Sequence, residues 1–94
     1  MTDNAIDSPQ HEYHVASFVA HAIDSRTEAV CTAIGKIPGG QVHAVSPTGK
    51  IVFTLEENSQ SKIGKHIDQL RAHTGLLSLS PVYHQFLTEP ALNQ

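Results

Sequence analysis

Large apolar side chains alternate with smaller or polar ones from Lys50 to Glu57, in the sequence KIVFTLEE. Successive side chains of a strand point to opposite faces, so this pattern predicts a strand with one covered face and one open face. Ile51, Phe53 and Leu55 would lie on the covered face. A sheet covered on one side only requires helices on that side, which indicates a two-layer α+β domain.

The flanking segments complete the order β-α-β-β-α-β. The other strands are predicted at Tyr13 to Ala22, Gln41 to Ser46 and Leu76 to Gln85. The first helix would begin at Ser25 with a capping box to Glu28, and the second would follow Asn58 or Ser59. Two crossovers joined by a hairpin predict the ferredoxin-like split fold, with a four-stranded antiparallel sheet and both helices on one face.

Each predicted helix carries an apolar stripe for the core. The stripes are Val30, Ala33 and Ile34 in the first helix and Ile63, Ile67 and Leu70 in the second. Gly64 interrupts the second helix at a cost of about 1 kcal/mol relative to alanine. We interpret it as a site of close packing against the sheet.

The length of 94 residues suits a single domain. We predict one ferredoxin-like domain over residues 12–86, a flexible tail over 1–11 and another over 87–94, because both ends are polar and contain proline. The first ten residues carry no basic residue and no apolar run, unlike a secretory signal. No segment approaches the roughly 18 apolar residues of a membrane helix, so no membrane insertion is expected.

The charge and the cysteine content argue against several classes of protein. The net charge is −3, and the six lysines and arginines form no stripe along which a nucleic-acid backbone could lie. An acidic balance suits a basic partner instead. The single cysteine, Cys31, excludes an intramolecular disulfide and a cysteine-built zinc site, and it indicates a cytoplasmic location.

The uncovered sheet face is predicted to be poor in charge. Its predicted members, taken as candidate peptide-binding residues, are Val15, Ser17, Val19, Val52, Thr54, Glu56, Ser78, Ser80, Val82 and His84. An apolar helix could lie on such a surface, and Glu56 at its rim could bind an arginine of the partner. The alternative interpretation is that β-branched residues only stabilise the strands and that Glu56 is only solvated.

Catalytic and metal sites find little support. The seven histidines show no metal-ligand spacing: His11 and His14 lie on or beside a strand, and His66 and His73 are two helical turns apart. The chain has no glycine-rich phosphate loop and no evident Ser/His/Asp constellation. The outward strand positions also lack the aromatic residues that stack on RNA bases. We therefore predict that the protein is not an enzyme and holds no cofactor or metal.

Three segments, VASFV, IPGGQV and GLLSLSPVYHQ, resemble the NapD family, and the similarity runs from about Tyr13 to Gln85. The ending Val82-Tyr83-His84-Gln85 is its most specific part. Pro81 departs from the aliphatic residue expected there, and it predicts an edge strand or a bulge.

The resemblance implies a small cytoplasmic chaperone of the periplasmic nitrate reductase. Such a chaperone binds the twin-arginine signal peptide of the catalytic subunit, as a helix on the open sheet face. It delays export until the molybdenum cofactor and iron–sulfur cluster are in place, needs no cofactor itself, and is expected to be monomeric when free. Two alternatives remain: a ferredoxin-like regulatory module that binds a small ligand or metal, and a binder that pairs a peptide with a sheet edge.

Overall fold

The computed structural model describes the backbone of residues 10–90 and the side chains of residues 13–84. The elements are β1 (Gln10–Ala22), a 3-10 helix (Asp24–Arg26), α1 (Thr27–Gly35), β2 (Gly40–Val45), β3 (Lys50–Glu57), α2 (Gln60–Arg71) and β4 (Leu76–Pro90). The four strands form one sheet in the order β2-β3-β1-β4, and every neighbouring pair is antiparallel. This confirms the predicted fold class.

The central strand β1 and the edge strand β4 both extend past the limits predicted for the domain. Their pairing runs from Ala22 opposite Leu76 to Gln10 opposite Pro90. Paired strand therefore includes residues 10–11 and 87–90, which the sequence analysis assigned to the tails. The rest of both predicted tails lies outside the described residues.

The two helices begin in different ways. The predicted capping box at Ser25 is wrong: the amide of Arg26 donates to the carbonyl of Ile23 at 2.7 Å, so Ser25 lies inside the 3-10 turn. Helix α1 then starts at Thr27 with no side-chain cap. Helix α2 is capped as expected by Ser59, whose hydroxyl accepts a hydrogen bond from the amide of Lys62 at 3.1 Å.

The core lies between the helices and the covered face of the sheet. Its buried members include Ala16, Phe18, Ala20, Val30, Ile34, Ile51, Phe53, Leu55, Ile63, Ile67, Leu70 and Leu79. The rings of Phe18 and Phe53 stack with centroids 5.3 Å apart. The alanines of β1 allow the helices to approach the middle of the sheet, which explains why a modest apolar content suffices.

Glycine is required at position 49 but not at position 64. Gly49 adopts φ +90° in the β2–β3 turn, and a Cβ there would lie 2.6 Å from the carbonyl oxygen of Ala22. A Cβ at Gly64 would meet nothing within 4 Å. The interpretation of Gly64 as a close-packing site is therefore wrong, since helix α2 leaves open space beside it.

The register shifts once in the edge strand β2 and twice in the edge strand β4, where one of the shifts leaves Leu77 as an extra residue between Leu76 and Ser78. In β4, Pro81 pairs with Phe18 and Tyr83 with Ser17, which leaves Val82 as the extra residue. In β2, the partners shift between Val42 and Ala44, so that His43 is the extra residue. The prediction of an edge strand or bulge at Pro81 is confirmed. Each bulge changes which side chains follow on each face.

Candidate functional site

The strand register identifies the side chains on the uncovered side of the sheet. We call this surface the open face, and its members are Val15, Ser17, Val19, His21, Gln41, His43, Ala44, Lys50, Val52, Thr54, Glu56, Ser78, Ser80 and Tyr83. Directly opposed residues of neighbouring strands point to the same side. One row therefore crosses the whole sheet through Gln41, Thr54, Ser17 and Tyr83.

The middle of the open face is aliphatic and uncharged. Val19 and Val52 are direct cross-strand partners, and Val15 lies further along the same strand as Val19. Val52 is 39% exposed although it lies on a central strand. Ser17 lies between Val15 and Val19, and Ser78 and Ser80 lie beside them on β4, so that the surface offers apolar contact with few groups that must be desolvated.

Charge on the open face is confined to its ends. Glu56 lies opposite Val15 at one end, and Lys50 lies opposite His21 at the other. Within residues 13–84, neither Glu56 nor Lys50 takes part in an ion pair. The two ends are about 20 Å apart, at about 3.4 Å per residue along β3. The surface is therefore polarised along its strands, negative at Glu56 and positive at Lys50.

Two histidines of the open face are already hydrogen-bonded. The Nε2 atom of His43 lies 2.7 Å from the hydroxyl oxygen of Thr54. The Nε2 atom of His21 lies 3.2 Å from the carbonyl oxygen of Thr48 and can donate to it. These bonds hold both rings across the sheet surface, so that they broaden the platform on the β2 side.

The predicted outward orientation of His84 is wrong. Its backbone pairs with Ala16 of the covered face, and its Nε2 atom lies 3.0 Å from Nδ1 of His14. His14 is only 7% exposed. The bulge adds one residue to β4, so that the alternation shifts by one position beyond Val82. His84 thereby moves to the helix side, and Tyr83 takes the place on the open face.

The other sequence-predicted residues divide into two groups. The structure brings together on the open face Val15, Ser17, Val19, Val52, Thr54, Glu56, Ser78 and Ser80. Val82 is the unpaired bulge residue and is 63% exposed. Sequence reasoning missed Tyr83, Gln41, His43 and Ala44. For Tyr83, the proline at position 81 was the one available signal, because it indicated a bulge but not its consequence.

Ionisable groups on the helix side have structural roles. His66 donates a hydrogen bond to the carboxylate of Glu57 at 3.1 Å, and this bond is the main influence that lowers the pKa of Glu57. Burial, with a smaller effect of Glu28, raises the pKa of the Cys31 thiol, which disfavours the reactive thiolate. Residues 13–84 contain no group of three or more His, Cys, Asp or Glu side chains placed to hold a metal ion.

None of the helices in the described part of the chain is long and apolar enough to span a bilayer.

Comparisons with known proteins agree on one family. The family model described as NapD protein matches residues 13–88. Chaperone NapD of Escherichia coli K12 is 32% identical over 75 residues, which cover 78% of this chain and 85% of the relative. Chaperone NapD of Shigella flexneri matches with the same figures.

A solved structure has the same fold. The solution structure of the E. coli Tat proofreading chaperone protein NapD superposes with a TM-score of 0.71 at 28% identity. The match covers 78% of each chain. Fold and sequence similarity therefore each extend over 78% of the chain.

Proposed function

Since the chain belongs to the NapD family, we propose that it binds the twin-arginine signal peptide of the periplasmic nitrate reductase catalytic subunit. In this function the chaperone delays export of the precursor until cofactor insertion and maturation are complete. The chaperone role is supported by its relatives, which are named chaperones, and by a similar structure titled a Tat proofreading chaperone. The observation that carries the choice of ligand is the open face.

The open face fits an apolar helix in size and chemistry. Its length of about 20 Å corresponds to about 13 residues of α-helix at about 1.5 Å per residue. Val15, Val19 and Val52 would contact the apolar segment of the signal peptide, and the small serines would let the helix approach closely. No ion pair has to be broken for the helix to bind, because residues 13–84 contain none on this face.

The charges at the two ends favour one orientation of the peptide. Glu56 carries a carboxylate with no ion-pair partner among residues 13–84, and guanidinium groups bind carboxylates through paired hydrogen bonds. Lys50, at the opposite end, would repel the same arginines. We therefore place the two arginines near Glu56 and the apolar segment over the valines.

Calorimetric titration tests this function. The ligand is the twin-arginine signal peptide of the nitrate reductase from the same organism, and the variants are Val19→Asp and Ser80→Lys. Each variant should weaken binding about tenfold or more, because a charge would be buried against apolar helix. Gln69→Asp, an exposed change on α2, is the matched control and should bind like wild type. Absence of binding by the folded wild-type protein would contradict the proposal.

A further inference from the structure

A groove lies on the helix side of the sheet, between α2 and the edge strand β4. Its volume is about 310 Å³. We call it the helix-side groove, and its lining residues are Ala16, Phe18, Gln60, Ile63, Gly64, Ile67, Arg71, Pro81, Tyr83 and His84. It lies on the other side of the sheet from the open face, since Ala16 and Phe18 point to the covered side of β1. Tyr83, on the edge strand β4, belongs to the rim of both surfaces.

The groove follows one stripe of α2. Gln60, Ile63, Gly64, Ile67 and Arg71 all line it, at the spacing of residues on a single helix face. From Gln60 to Arg71 this stripe is about 16 Å long at about 1.5 Å per residue. The groove is therefore long enough for a short extended segment, not only for one side chain.

Gly64 keeps the groove open. Glycine in a helix interior is less favourable than alanine, and it is usually retained where φ is positive or another atom comes close. Gly64 meets neither condition: its φ is not positive, and a Cβ there would have no neighbour within 4 Å. A larger side chain would instead project into the groove and fill it.

The polar residues that line the groove are Gln60, Tyr83, His84 and Arg71, and Arg71 is the one of them that carries a fixed charge. Arg71 lines it and takes part in no ion pair among residues 13–84, and His84 lines it while bonded to His14. Among the residues with described side chains, no lining residue carries a carboxylate, and Asp68 on the same helix does not line the groove. An apolar floor beside an arginine without a partner complements an aliphatic side chain followed or preceded by a carboxylate.

We propose that the helix-side groove is a second docking site, which binds an extended segment of a partner protein carrying aliphatic side chains next to Asp or Glu. The aliphatic side chain would contact Phe18 and Ile63, and the carboxylate would pair with Arg71. A twin-arginine segment would be repelled by Arg71. The two faces of the sheet therefore select segments of opposite charge, and this site does not depend on the function proposed for the open face.

A random peptide library displayed on phage tests the groove without assuming a sequence. Clones are selected on the folded full chain and counter-selected on Gly64→Phe, which fills the groove. We expect the remaining clones to be enriched in Leu, Ile or Phe beside Asp or Glu. Peptides made from them should bind Arg71→Gln about tenfold more weakly than wild type, because a charge-assisted hydrogen bond is lost.

Gln69→Phe is the matched control, because it adds the same ring to an exposed position of α2 outside the groove. It should bind the selected peptides like wild type, and circular dichroism should show all variants folded. The proposal is overturned if no clone distinguishes wild type from Gly64→Phe, or if the clones that do so are basic or lack acidic residues. A dimer that Gly64→Phe converts to monomer would assign the groove to a second copy and would also overturn it.

Discussion

The two faces of the sheet share every strand but differ in what covers them. On β3, Phe53 is fully buried beneath the helices, whereas its neighbour Val52 is 39% exposed on the open face. The covered face is close-packed and holds the fold together, while the middle of the open face consists of small and β-branched side chains that no described helix covers. Adjacent residues of one strand should therefore affect different properties, stability on one side and binding on the other.

The largest expected effect is a difference in stability between variants of Phe53 and Val52. Phe53→Ala should lower the free energy of unfolding by about 3–5 kcal/mol, because it leaves a cavity among fully buried side chains. Val52→Ala should lower it by no more than about 1 kcal/mol. Urea denaturation of both variants measures the difference, and equal losses would show that the open face is as strongly packed as the core.

A smaller effect is expected at Gly64, in the helix-side groove. Gly64→Ala should raise the free energy of unfolding by about 1 kcal/mol, because alanine favours the helix and its Cβ meets no other atom within 4 Å. Gln69→Ala, on the exposed side of the same helix, should change it by only a few tenths of a kcal/mol. Thermal unfolding of the two variants tests this; a loss of stability in Gly64→Ala would mean that the helix packs more tightly there than described.

The two faces of the sheet can also be compared through two neighbouring carboxylates, Glu56 on the open face and Glu57 on the helix side. Glu56 belongs to the open face, so Glu56→Gln should weaken binding of a twin-arginine peptide about two- to fivefold, the range of an exposed ion pair. Glu57→Gln should leave binding unchanged, because Glu57 is bonded to His66 on the helix side. Calorimetry at low and high salt measures both. Equal affinities of Glu56→Gln and wild type would remove Glu56 from the site.

The smallest effect is a pH dependence from Glu57. The hydrogen bond from His66 lowers the pKa of Glu57 below its ordinary value of 4.5, so the ionised carboxylate stabilises the folded state above pH 4.5. This contribution is lost as the pH falls through the lowered pKa of the folded state. Relative to wild type, Glu57→Gln should be less stable at pH 6, and the difference should shrink below pH 4.5. A difference that stays constant between pH 6 and pH 3 would contradict this account.

Local sequence patterns correctly predict those features that depend on the residues of a single strand or helix. The alternation in β3 gives its covered and open faces correctly, and the serine before α2 indicates the cap that the structure shows. The start of α1 could not be predicted in this way. Both Ser25 and Thr27 could begin a helix, and the choice depends on the turn that Ile23 and Arg26 form after β1.

The bulges explain the errors at the site. Whether Val82 or a neighbour becomes the extra residue depends on which residues of β1 the strand faces, so the sequence of β4 alone does not determine it. One inserted residue moves His84 from the open face to the helix side and brings Tyr83 to the open face. The same reasoning applies to His43 in β2. Ser78 and Ser80, which precede Val82, were therefore predicted on the correct face, and His84, which follows it, was not.

The pairing of β1 with β4 joins residues that are far apart in the sequence. Gln10 lies opposite Pro90, a separation of 80 residues by their numbers, and Ala22 opposite Leu76 is still 54 residues apart. Contacts between residues so far apart in the sequence form late during folding, because closing a large loop has a high entropic cost. Strand β4 supplies one side of the open face and one wall of the helix-side groove. A chain in which this strand is still detached would lack both surfaces, so a ligand at either one would stabilise the completed fold by mass action.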